Sequence, residues 1–155
     1  MEANLFPFEN AEEGTLPIEF HTEDIEFELA NAPRINQWIL SIIKAEDKKL
    51  QHISYIFCSD EYLLALNKEY LEHDTLTDII TFPYATLPSI EGDIFISIER
   101  VKENAQTYQV TFEEELYRVI IHGVLHLCGY GDKTPEDKAR MTEKENEALQ
   151  KLHSQ

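Results

Sequence analysis

The run from Thr111 to Asp132, TFEEELYRVIIHGVLHLCGYGD, restricts the fold more than any other part of the chain, because both ends of its helix are written into it. Thr111 followed by Glu114 is a capping box, in which hydroxyl and carboxylate satisfy amide groups that the first turn leaves open. Gly129 and Gly131 stop the helix, since glycine accepts the positive φ with which many helices end. Between these limits Leu116, Val119, Ile120 and Leu127 recur at helical spacing, which predicts one helix buried along that face and running to about Cys128.

On the same helix His122 and His126 stand four residues apart, so both imidazoles reach one point beside it. Such a pair is also found as ordinary satisfied histidines. Here Gly129 can turn the chain back, and Asp132 three residues later can bring a carboxylate to the same point. The spacing H-x3-H-x2-G-x2-D thus offers two nitrogens and one oxygen to a metal. Zinc accepts that set, one ion per chain, and three protein ligands leave a fourth position open, as catalytic rather than structural sites do. Other transition metals take the same donors. The residue after the first histidine is Gly123, where a zinc protease of the H-E-x-x-H type carries its glutamate base, and this argues against peptide hydrolysis. A mid-helix glycine is otherwise a packing device that admits a neighbour. Cys128, two residues past His126, points elsewhere and reads as a buried, inert thiol.

Elsewhere, IEFHTEDIEFEL (18–29) alternates like one or two short strands. Ile35, Trp38, Ile39, Ile42 and Ile43 after Pro33 mark an amphipathic helix. HISYIFCS (52–59) reads as a strand, and Ser59 caps a helix with Leu63, Leu66 and Tyr70 on one face. TDIITFPY (77–84) is a strand ending near Pro83, and GDIFISI (92–98) is another, followed by a short helix through Val101 and Ala105. Thr134 and Pro135 start a last helix, apolar at Met141, Ala148 and Leu149. Strands and helices intermix without repeats or linkers, so the expected fold is a single α+β domain of the layered type over 1–155: a small mixed sheet packed with helices, its metal site on the long helix and the turn after it. Residues 1–17, polar and acidic with two prolines, are expected to be poorly ordered.

With 155 residues the chain can bury a core unaided. Two cysteines suggest a reducing compartment. No signal peptide or membrane-length run is present, so a cytoplasmic protein is expected. The net charge of −17 opposes non-specific binding to nucleic acid and suits a basic partner such as a ribosomal protein.

At the histidine run the chain resembles the YbeY family of bacterial endoribonucleases. HGVLHLCGYGD is similar to the family's H-G-x-L-H-L-x-G-Y-D-H from His122 to Tyr130. LNKEYLEHDTLTDIITFP (66–83) resembles its L-N-x-x-Y-R-x-x-D-x-x-T-D-V-L-S-F-P, and GDIFIS (92–97) its G-D-I-x-I-S strand. Together they span roughly residues 50 to 150. The resemblance implies a metal-dependent endoribonuclease specific for single-stranded RNA. It would act in rRNA maturation, notably near the 3′ end of the small-subunit RNA, and in ribosome quality control. His122, His126 and Asp132 would be its metal ligands and His122 a catalytic group. Asp78 matches a family position and is a candidate base or partner of a ligating histidine. An aspartate capping a turn is the commoner role of such a residue. Asp74 and Asn67 read as structural. Two departures from the family matter: Asp132 stands where a third histidine is usual, and Leu71 where an arginine is thought to help catalysis or phosphate binding. Lys68, His73 and Arg118 are the cations that could replace it. Two rivals keep the metal but change the job: a non-catalytic ribosome-assembly factor with a structural metal, and a metal-dependent hydrolase of another substrate.

Overall fold

The computed structural model of the chain describes residues 16–154, so most of the segment expected to be poorly ordered, residues 1–15, lies outside the described residues. Among the described residues four strands and five helices follow one another as β1 (Ile18–Thr22), α1 (Ala32–Ala45), β2 (Lys49–Cys58), α2 (Asp60–Leu71), β3 (Ile79–Pro83), β4 (Ser89–Ser97), α3 (Ile98–Tyr108), α4 (Phe112–Leu127) and α5 (Pro135–His153). The strands form one sheet in the order β1-β2-β4-β3; β1, β2 and β4 are parallel, and β3 runs antiparallel along one edge. This is the single α+β domain with a small mixed sheet that the sequence predicts. Among the described residues no helix is long and apolar enough to cross a membrane.

Alternation along the strands sends two sets of side chains to opposite faces. Ile53, Tyr55 and Phe57 of β2, with Ile90, Ile94 and Ile96 of β4, meet α1, α4 and α5 in the main core. Cys58, Ile80, Phe82 and Phe95 meet α2 on the other face. Polar tips inside the main core end on helix carbonyls: Tyr55 Oη donates to Ile120 O at 2.9 Å and Trp38 Nε1 to Ala148 O at 2.8 Å. An unmade hydrogen bond at such depth costs about 1–3 kcal/mol, so these two bonds fix how α4 and α5 sit on the layer beneath.

Several boundaries differ from expectation. The strand in 18–29 ends at Thr22, because Asp24 takes a left-handed conformation (φ 47) and turns its carboxylate onto Ser59. β2 and β4 both start three residues earlier than their sequences suggest, since each supplies the other's hydrogen-bond partners from Lys49↔Ser89 onward. On α2, Tyr70 faces outward and Leu66 is half-buried, while Asn67 joins Leu63 inside.

Candidate metal centre and cleft

Helix α4 behaves as its sequence specifies. Thr111 Oγ1 accepts from Glu114 N at 3.1 Å and Glu114 Oε1 from Thr111 N at 3.0 Å, closing the capping box. At the other end Gly129, at φ 110, lets Tyr130 N donate to Leu125 O and Gly129 N to His126 O, a Schellman stop. Past this turn, Tyr130 Oη donates to Glu46 Oε1 at 2.8 Å beyond the end of α1, and Thr134 caps α5. Asp132 is therefore held between two anchored points, and it comes back over the histidines.

There Asp132 Oδ2 stands 3.4 Å from His122 Nε2 and 3.3 Å from His126 Nε2. Donors about 2.0–2.1 Å from a tetrahedral metal are about 3.3–3.4 Å from one another, so the cluster has the spacing such an ion needs. One ligand atom from each of the three residues lies within 4.8 Å of the other two, and all three side chains are half-buried, open on the cleft side. The donors present thus fit a small divalent metal in both chemistry and size.

Behind the cluster stands a residue that the sequence reading passed over. Glu145 of α5, buried, places Oε2 at 2.7 Å from His122 Nδ1, while Arg118 Nη1 donates to its Oε1 at 2.9 Å. With its proton on Nδ1, His122 turns the lone pair of Nε2 toward the cluster. Burial opposes a charge on His122, but the Glu145 hydrogen bond and the charges of Glu145, Asp132 and Asp78 outweigh it and raise the imidazole pKa. The same acidic surroundings favour a cation at Nε2. A clue was present in the sequence: Met141, Glu145, Ala148 and Leu152 form one apolar stripe, and a carboxylate on a buried stripe needs a partner.

Asp78 lines the same cleft, but the place beside His122 Nδ1 belongs to Glu145. Asp78 Oδ2 instead accepts from Asn104 Nδ2 at 3.4 Å. Burial raises its pKa, against the lowering effect of the nearby His122. Glu115, one of the buried residues of α4, also faces this cleft; burial and then the charge of Asp78 push its carboxyl up to about 7. Gly123 is packed from above: a Cβ there would meet Ile94 at 3.0 Å and Ile79 at 3.1 Å, so a glutamate has no room. Burial, with the charge of Glu46, pushes the Cys128 thiol up to about 12, which leaves it inert.

The cleft, about 860 Å³, runs from the cluster along β3, the edge strand among the described residues, and its flanking loops. Leu71, at the position of the family's arginine, is exposed on its wall. Of the cations that could replace it, Lys68 pairs with Asp74 at 3.4 Å outside the cleft, and Arg118 is held by Glu145 and Asn146. His73 lines the wall and is exposed. Asn67 is structural, donating to Thr75 O at 2.9 Å and so pinning the loop that leads to Asp78.

Residues 17–153 match the family model described as endoribonuclease YbeY. A curated relative of that name from Flavobacterium psychrophilum is 52% identical over 130 residues, 84% of this chain and 93% of its own length. Another, from Parabacteroides distasonis, is 46% identical over 134 residues, 86% of this chain and 94% of its own. Among solved structures, the solution structure of TM1509 from Thermotoga maritima aligns with a TM-score of 0.62 at 28% identity, over 87% of this chain and 88% of that one.

Proposed function

The chain belongs to the family of endoribonuclease YbeY, and from that premise we propose that it is a zinc-dependent endoribonuclease acting on single-stranded RNA. Its place would be the cytoplasm, in rRNA maturation near the 3′ end of the small-subunit RNA and in ribosome quality control. The observation that carries this reading is the three-donor cluster of His122, His126 and Asp132 opening onto the cleft. Asp132 serves in place of the family's third histidine, and its carboxylate offsets one unit of the ion's charge.

When bound there, zinc supplies Lewis acidity that polarises a phosphodiester oxygen and makes a water more acidic. The residues do the rest. His122 and His126 present Nε2, and Asp132 presents Oδ2. Glu145 keeps the His122 proton on Nδ1, and Arg118 keeps Glu145 in place. We assign Asp78, which lines the cleft with its pKa raised by burial, as the general base that takes a proton from the attacking hydroxyl. Basic ribosomal proteins suit the acidic surface as guiding partners.

The test is cleavage of a single-stranded rRNA fragment by zinc-loaded protein beside His126→Ala prepared identically. Cutting by the wild type alone is expected; equal activity in both, or none in either, overturns the reading. A 2′,3′-cyclic phosphate product would assign attack to the RNA's own 2′-hydroxyl. One observation favours the assembly-factor alternative, the exposed Leu71 in place of a phosphate-binding arginine. That alternative gains if Asp132→Ala leaves ribosome binding unchanged and no RNA is cut.

A further inference from the structure

Eight large apolar side chains are exposed among the described residues, and four of them, Leu71, Leu76, Leu87 and Tyr108, line the cleft that holds the metal donors. Exposed apolar surface gathered at one site marks a binding surface. Three tyrosines are more than half exposed. Tyr70 packs edge-on against Phe82 at 5.9 Å, and Tyr84 Oη donates to Asp93 Oδ2 at 2.8 Å. Tyr108, 61% exposed, has neither a hydrogen-bond nor an aromatic partner among the described residues. It is the last residue of α3, and Gln109 turns left-handed (φ 57) directly after it, so the ring is carried on a fixed stem.

The electrostatics of the cleft sharpen this. Asp78, Glu115, Asp132 and Glu145 line it, no lysine does among the described residues, and its one arginine is already bonded to Glu145 and Asn146. A nucleic-acid strand held by its phosphates needs lysines and arginines to neutralise them. A strand held by its bases needs aromatic and apolar faces.

Resting on the ribonuclease reading, we propose that Tyr108 is the stacking platform for an unpaired base of the substrate, with Leu71, Leu76 and Leu87 as the apolar rim, and that base contacts rather than phosphate charge hold RNA in this cleft. A duplex keeps its bases stacked on one another and has none to offer, so the same platform selects single strands.

The experiment is equilibrium binding of a fluorescently labelled, short single-stranded RNA, with steady-state cleavage of the same RNA. Each phosphate contact on a single strand weakens binding about threefold between about 0.05 and 0.2 M salt. A total loss of about threefold is expected here, and about a hundredfold overturns the proposal. Tyr108→Ala is expected to weaken binding about tenfold and raise KM with kcat kept, and Tyr108→Phe to behave as wild type. Replacing bases of the probe by abasic sites should weaken the wild type and leave Tyr108→Ala unmoved. Wild-type binding by Tyr108→Ala, with cleavage intact, sinks the stacking platform and spares the nuclease. Binding with this pattern but no cleavage keeps the platform and removes the nuclease. A wild type that binds no single-stranded RNA overturns both.

Discussion

Glu145 joins His122 and Arg118 through separate oxygens, and the division of labour predicts what its loss does. Glu145→Gln keeps an acceptor near His122 Nδ1 but removes the charge that supports a metal-ligating imidazole. Metal affinity, measured by competition with a chelator, should fall about tenfold or more while the fold persists. Unchanged affinity would reduce Glu145 to a packing residue. The three donors were legible from sequence because their relation is local: an i, i+4 pair and a glycine turn leave little freedom over eleven residues. Glu145 was not, because twenty-three residues separate it from His122 and only the packing of α5 on α4 brings them together. Asp78 lies between these cases. Its motif placed it near the site, but no local rule could show that the partner position was taken.

At the scale of the element, the stop of α4 is the feature with most at stake. Gly129 sits at φ 110, outside the region open to residues with a Cβ. Gly129→Ala is therefore expected to cost about 2 kcal/mol of stability, seen as a lower urea midpoint. It should also cost metal affinity, because the turn that returns Asp132 must shift. A variant as stable as the wild type with full metal binding would show that the turn does not place the ligand. The helices were legible because caps, stops and stripes are written within each of them. Strand limits were not, because β2 and β4 extend one another by pairing across forty residues. The segment 23–29 alternates like a strand, but after the Glu23 N to Phe57 O bond the chain leaves the sheet, as Asp24 turns to cap α2 through Ser59.

For the whole molecule, a net charge of −17 adds to the cost of burying a carboxylate that lacks a cationic partner, and Glu115 is the clearest case. Its pKa is about 7 when folded, above the ordinary value of about 4.5. The folded state thus holds a proton that the unfolded chain releases, and the stability this gives is full at low pH and disappears as pH rises to 7. Glu115→Gln should leave melting unchanged near pH 4 and raise Tm by several degrees near pH 8, on the order of 1–3 kcal/mol. An equal shift at both pH values would assign the effect to packing instead. The α+β class was readable from the mixture of elements, whereas the strand order β1-β2-β4-β3 was not, because it is set by contacts between distant segments.

The two bonds that tie α5 to α1, Trp38 Nε1 to Ala148 O and Arg34 Nη2 to Leu152 O at 2.7 Å, have a bearing on how the molecule comes into being. Along the chain His122 and His126 precede α5, so they are made before the helix that completes their surroundings. Until α5 docks, His122 lacks the carboxylate that orients it and the helix that buries that carboxylate. The site is thus finished from a distance: the histidines and Asp132 lie close along the chain, but His122 gains its oriented proton only when α5 has docked.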